Sequence, residues 1–537
     1  MAVIKSALVI INLALILTEI FAENGNDTIS EPIPCIEEGR FYRNPARSAH
    51  RLWTSEECSK YFLCLDGEVF EFRCSSGLLF DVSRQICDFQ ANVDNCDITA
   101  EEKIPKPLLE EAGCDIPGET GCGDGTCIPE QYFCDGALDC PDGSDEGHCD
   151  LITHIISKHS APPCDPFRCH LPECYCTASQ IPGGLPASET PQIIYVSITG
   201  SVTSSEDDDD YDLLSRGLFP QGLVRNPNGC PPRLTWFLTH RDTDYASVQK
   251  IWHDGHEIGV NSVTHRGPSD WWARNATIED WFDEMVGGAN IARRFSSVRS
   301  QEIRGTRAPF LAPGSDRQFL MMQEFGFEFD SSLRSNGTYW PYTLEYKMPH
   351  QCIGEYQTCP TRSYPGIWEF PINPIAPMDG PINRVDPTCA ILDPNTECGS
   401  RISGEEAFRS FSLAFVRSYK TNRAPVGFHF RSSWLKIRRN FDAFQRFLDE
   451  ALRRNDVYLV TMHQVLEWIR KPTPLSRILD FEPWKCPKKH FAPDERPCKV
   501  PNNCKLFSRL LQQNRILRTC KTCPVQYPWI RNEFGID

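Results

Sequence analysis

Ile193-Ile194-Tyr195-Val196-Ser197-Ile198-Thr199-Gly200-Ser201-Val202 is the stretch that decides how this 537-residue chain is read. Its residues from Ile193 to Thr199 favour β structure, Ser197 aside, and end at a glycine. That pattern predicts a buried strand delivering its last residues to a loop. A Pro- and Gly-rich approach, Ile181 to Pro191, precedes it, so the strand opens a domain. Downstream, Leu234 to Leu238, Glu257 to Val260, Val426 to Phe430 and Val457 to Val460 predict further strands. Phe441, Phe444, Leu448 and Leu452 recur at helical spacing and predict an amphipathic helix after the Phe430 strand. Strands alternating with helices imply a parallel sheet with crossover helices.

The length calls for more than one core. Residues 1–22 carry one early lysine (Lys5), an apolar run from Ala7 to Leu17 and a small residue, Ala22, and read as a secretory signal peptide. The run falls short of the ~20 residues that span a bilayer, and no later stretch is apolar enough to cross one. The chain has 26 cysteines, which suits an oxidising compartment. Asn26, Asn275 and Asn336 head glycosylation sequons. A formal net charge of −17 argues against nucleic acid as a partner.

Four later segments turn the opening strand into a specific signal. They are Gly255-His256-Glu257-Ile258-Gly259-Val260-Asn261-Ser262-Val263-Thr264-His265-Arg266, Arg307-Ala308-Pro309-Phe310, Phe329-Asp330-Ser331-Ser332 and Val426-Gly427-Phe428-His429. In order and spacing they resemble the motifs of the polysaccharide deacetylases (carbohydrate esterase family 4), most of all those of the insect cuticular chitin deacetylases. The resemblance implies an irregular (β/α) barrel over residues 164–485, with its site at the C-terminal ends of the strands. It also implies chitin or a related polysaccharide as partner; the acidic charge suits a neutral glycan and would favour a cationic one such as chitosan.

Two small modules precede the barrel. Cys35, Cys58, Cys64, Cys74, Cys87 and Cys96 lie in a segment with little aliphatic core, which must be stapled. Spacing alone leaves their pairing open. With Trp53, Tyr61, Phe62 and Phe80 interleaved, residues 35–96 resemble a peritrophin-A chitin-binding domain. That implies Cys35–Cys64, Cys58–Cys96 and Cys74–Cys87, with Trp53 and Tyr61 as candidate sugar-contacting rings and Phe62 and Phe80 divided between core and surface. Residues 114–149 hold Cys114, Cys122, Cys127, Cys134, Cys140 and Cys149 around an acidic turn. Clustered carboxylates suit calcium, which takes about six to eight oxygens. The segment resembles an LDL-receptor class A repeat. The resemblance implies calcium ligands at Tyr132, Asp135, Ala137, Asp139, Asp145 and Glu146, disulfides Cys114–Cys127, Cys122–Cys140 and Cys134–Cys149, and a protein partner for the module. Glu101 to Glu111 and Ser157 to Pro163 read as linkers. Fourteen cysteines follow residue 160, six of them from Cys398 to Cys523, and suggest a tethered extension over 486–537.

In the deacetylases, zinc on one aspartate and two histidines polarises the acetamide and holds water. A second aspartate is the base and a histidine the acid. The resemblance places the base at Thr199 and the metal aspartate at Gly200, and puts Asn261 where the first histidine ligand stands. His265 is the retained ligand. Arg307 matches the arginine that orients the base, Asp330 the partner of the acid, His429 the acid itself, and Trp340 the sugar-binding wall. A hydroxyl, a hydrogen and a carboxamide do not make a zinc site, so an inactive, glycan-binding barrel is expected. An active enzyme would need a remodelled site, with carboxylates from Glu206 to Asp210 swung over the cleft. His240, His253, His256 and His463 are expected to be structural.

Overall fold

In a computed structural model the chain forms two units, residues 1–149 and 150–537. The structure describes parts of 34–96, the strands Glu119–Gly121 and Cys127–Pro129, and 160–536 apart from 206–207, 221, 336, 374–389 and 487–489.

In the first unit, strand Lys60–Leu65 pairs antiparallel with both Phe41–Tyr42 and Glu68–Arg73, and Leu78–Asp81 pairs with Ile86–Phe89. Cys35–Cys64 and Cys58–Cys96 form as the resemblance implied. Cys74 is disulfide-bonded, while the side chain of its assigned partner Cys87 lies outside the described residues. Phe62 and Phe80 are buried, and both belong to the miniature core. Tyr61 stacks on Phe80 at 4.0 Å and on Phe72 at 5.4 Å, so the half-buried ring is part of that aromatic cluster. Trp53 lies outside the described residues, as do Tyr132, Asp135, Ala137, Asp139, Asp145, Glu146 and the three pairings of the second module. Of that module, Glu119–Gly121 pairs antiparallel with Cys127–Pro129.

The second unit is built on a curled sheet. Its strands are β1 (Gln192–Gly200), β2 (Thr235–Thr239), β3 (Glu257–Ser262), β4 (Gly305–Thr306), β5 (Phe329–Asp330), β6 (Tyr342–Leu344), β7 (Tyr364–Glu369), β8 (Val426–Phe430) and β9 (Val457–Leu459). The hydrogen-bonded order is β6-β7-β5-β4-β3-β2-β1-β8, with β9 on the first residues of β1. All pairings are parallel except β6 with β7, so the sheet is mixed and its ladder is open between β6 and β8. All nine residues of β1 are buried, as its near-continuous β-favouring run requires of a parallel strand covered on both faces.

Helices α1 (Tyr245–His253), α2 (Ile278–Ser296), α3 (Asp316–Phe325), α4 (Glu405–Lys420), α5 (Arg438–Leu452) and α6 (Met462–Arg470) supply the outer layer. The periodic phenylalanines seat α5: Phe444 and Phe447 lie 4.8 and 5.0 Å from Phe430 and Phe428 of β8, and Phe411 of α4 joins them. Two further strands, β10 (Asn502–Ser508) and β11 (Gln513–Thr519), form a C-terminal hairpin. Cys230–Cys486 ties the approach to it to the barrel, and Cys498–Cys520 and Cys504–Cys523 staple it. Leu506 and Leu517 join the barrel core.

Candidate functional site at the mouth of the barrel

Side chains two residues apart on a strand share a face. Ser197 and Thr199 therefore share one face of β1. In the neighbouring register His429 lies opposite Ser197 and Phe430 opposite Ile198, which carries Arg431 to the level of Thr199 and Gly200. The interior is thus two layers of polar side chains, one above the other.

Arg307 organises the lower layer. Its Nε donates to Ser331 O at 2.8 Å and its Nη2 to Ser331 Oγ at 2.8 Å. Nη1 donates to Ser197 Oγ at 2.7 Å and to Thr199 Oγ1 at 3.0 Å. The guanidinium lies 4.2 Å from the Phe237 ring, and full burial brings its pKa down to about 9. His429 is in this layer. Its Nδ1 is 2.7 Å from Ser197 Oγ and 3.3 Å from Arg307 Nη2, and its buried Nε2 has no partner among the described residues. Desolvation, then Arg307, holds the ring well below its ordinary pKa. His429 is 2 % exposed. It therefore sits one layer beneath the surface at which an acid would meet substrate.

Asp330 also turns from its expected partner. Its Oδ1 accepts from Thr306 Oγ1 at 3.0 Å, Gln318 Nε2 at 2.7 Å and Ser332 Oγ at 2.9 Å. Glu369 lies beside it in the β5–β7 register. Burial lifts the Asp330 carboxyl to about 6 and Glu369 well above its ordinary range. The described contacts of Asp330 do not include His429.

The upper layer holds Asn261, His265 and Gly200. Asn261 accepts from Thr239 Oγ1 at 2.9 Å and donates to Arg307 O at 2.8 Å. Its Oδ1 is 3.0 Å from His265 Nδ1. The other ring nitrogen, Nε2, is 2.9 Å from Arg431 Nη2, a donor. Both nitrogens of His265 are therefore engaged, and desolvation followed by Arg431 lowers its pKa to about 3. Arg431 Nη1 donates to Thr199 O at 3.2 Å. Gly200 has φ +132°, and a Cβ there would stand 2.9 Å from Arg431 Nη1. The sequence reading missed Arg431; the signal was alternation, which puts a cation two residues past His429 on the same face.

A catalytic zinc does not fit this set. Thr199 and Gly200 bring no carboxylate, Asn261 is turned to three protein partners, and His265 has no free lone pair. Among the described residues one trio of metal-ligand types converges, Cys169, Cys174 and Glu345, and its two sulfurs form a disulfide.

Residues 47–96 match the chitin-binding peritrophin-A domain and residues 112–149 the low-density lipoprotein receptor domain class A. Over 491 residues, 89 % of this chain and 88 % of the relative, the sequence is 38 % identical to chitin deacetylase 1 of Bombyx mori. The chain belongs to the chitin deacetylase family. It is also 32 % identical to chitin deacetylase 8 of Bombyx mori over 70 % of this chain and 94 % of the relative. A solved polysaccharide deacetylase from Mycobacterium smegmatis covers 56 % of this chain and 96 % of its own at 16 % identity, with a TM-score of 0.35.

Elsewhere in this chitin deacetylase-family barrel, one expectation is overturned. Trp340 does not line a sugar wall: it is fully buried, stacks 5.4 Å from Trp468 of α6, and donates Nε1–H to Asn422 O at 3.0 Å. With its one donor satisfied by the Asn422 carbonyl, the large ring can be buried whole. In the acidic run, Asp210 is buried, accepts from Thr203 N at 2.7 Å and pairs with Lys436 at 2.6 Å. Asp209 caps the turn after it, and Glu206 and Asp207 lie outside the described residues. The four nearby histidines serve packing. His240 bridges Tyr245 Oη and Pro528 O, His253 stacks 4.3 Å from Phe491, His256 accepts from Leu234 N, and His463 pairs with Glu328 at 3.0 Å. Asn275 is exposed; Asn26 and Asn336 lie outside the described residues.

Proposed function

We propose that this chain is a secreted, chitin-binding, chitin deacetylase-like protein of the extracellular matrix or cuticle, whose barrel binds or organises chitin without hydrolysing it. The observation that carries this reading is the upper layer, where Thr199, Gly200 and Asn261 stand at the base and metal positions and His265 is closed by its neighbours. Loss of the base alone costs about 10²–10⁴-fold in rate, and loss of the metal's charge stabilisation several kcal/mol beyond that. Against a remodelled enzyme stands Asp210, whose carboxylate is held by Lys436 and Thr203 rather than free to swing over the mouth.

Binding has its own support. The N-terminal module carries stacked aromatic rings, and Phe310, 42 % exposed, lies 4.4 Å from the His265 ring and offers an apolar face to a sugar at the mouth. The acidic repeat adds structural calcium at Asp135, Asp139, Asp145 and Glu146, with carbonyls of Tyr132 and Ala137, and a surface for a protein partner. Acetate release from chitin oligomers with added zinc, run beside a chitin pull-down, tests the reading. Retention on chitin with no acetate above the blank is expected. Zinc-dependent acetate release would instead make the chain an active deacetylase.

A further inference from the structure

We infer that Arg431 is the resident cation of the barrel mouth, standing between Gly200 and His265 and keeping a divalent metal out of the one place where the fold would seat it. Three contacts define the placement. Nη2 donates to His265 Nε2 at 2.9 Å, so the lone pair a metal would use already holds a proton donor. Nη1 donates to the carbonyl oxygen of Thr199 at 3.2 Å. The same nitrogen lies 2.9 Å from where a side chain at Gly200 would begin, so the bare glycine makes room for the guanidinium.

The fold holds the arginine there. Leu392 exchanges backbone hydrogen bonds with β8, accepting from Arg431 N at 2.9 Å. This bridge brings Asp393 to within 3.8 Å of Arg431 Nε, and Asp393 is the carboxylate paired with the guanidinium among the described residues. A guanidinium carries five N–H groups, and the described hydrogen bonds use one on each terminal nitrogen. The side chain remains 24 % exposed, so N–H donors stay available to an oxygen acceptor entering the mouth. A metal would offer that acceptor an empty orbital; Arg431 offers it a fixed positive hydrogen-bond donor, which can orient an acetamide or hydroxyl oxygen but activates no water.

This inference deepens the non-hydrolytic reading, and it is tested apart from it because the readout is metal uptake. The full-length chain is made with Gly200→Asp and Asn261→His, once with Arg431 retained and once with Arg431→Ala added. Zinc alone is titrated into each by calorimetry, against the natural chain as blank. The variant that keeps Arg431 should bind zinc at the mouth about 10–100-fold more weakly than the one lacking it, the range by which the partners of metal ligands shift affinity. An Arg431→Met version, which keeps the bulk without the charge, should take up zinc nearly as the alanine version does, which separates charge from bulk. Equal zinc uptake with and without Arg431, or none in either while both melt cooperatively, would overturn the inference. Neither outcome bears on acetate release by the natural chain.

Discussion

The two polar layers inside the barrel sit on the same strands yet carry opposite chemistry. Below, Arg307, Ser197, Ser331 and His429 form a closed hydrogen-bonded set with no position open to solvent. Above, His265 and Arg431 meet the mouth over the buried Asn261, at the positions proposed for the family's metal ligands. The lower layer is bound by packing, because a buried charge that loses its partners is costly. The upper layer answers to ligands, so it can change without unfolding the barrel. The lower layer is thus read as architecture, and the upper one as the place where the proposed change in chemistry lies.

The largest expected effect breaks the lower layer. Arg307→Ala leaves buried oxygens of Ser197, Thr199 and Ser331 without their common donor and, at about 1–3 kcal/mol per unsatisfied group, should cost about 3 kcal/mol or more in urea denaturation. Arg431→Ala removes two hydrogen bonds at a partly exposed site and should cost about 1–2 kcal/mol; similar losses for the two arginines would erase the contrast.

Between them lies the floor of the barrel, where Glu328 accepts from His463 at 3.0 Å and pairs with Arg470. Burial alone would raise this carboxyl, but His463 and then Arg470 outweigh it and hold it at about 2, against an ordinary 4.5. A folded pKa below the unfolded one stabilises above the unfolded value and is lost as pH falls through the folded one. The contribution is up to about 3 kcal/mol. Thermal melts of the natural chain and Glu328→Gln should therefore differ most above pH 5 and converge as pH falls from about 4.5 toward about 2.

Much of the frame was legible in the sequence. Val426 to Phe430 is a strand with the bounds its composition gave, and the phenylalanine period placed α5. The motif resemblance also brought Thr199, Asn261, His265 and His429 to one site. It could not tell depth, and so His429 seemed to reach the mouth when Arg431 does. Pairings across long separations were likewise hidden: Asp330 with Glu369, Trp340 with Trp468, and the clasp of the C-terminal segment, whose Tyr527 and Trp529 close over His240. Each depends on where a strand or helix lands after folding, which local pattern does not encode.

Among these tests one bears most directly on the mouth. The natural full-length chain, crystallised with excess zinc, can be examined by anomalous scattering at the zinc edge. The map should show no peak beside His265, with Arg431 still between that ring and Gly200. A strong peak within bonding distance of His265 Nε2, with Arg431 displaced, would contradict the account.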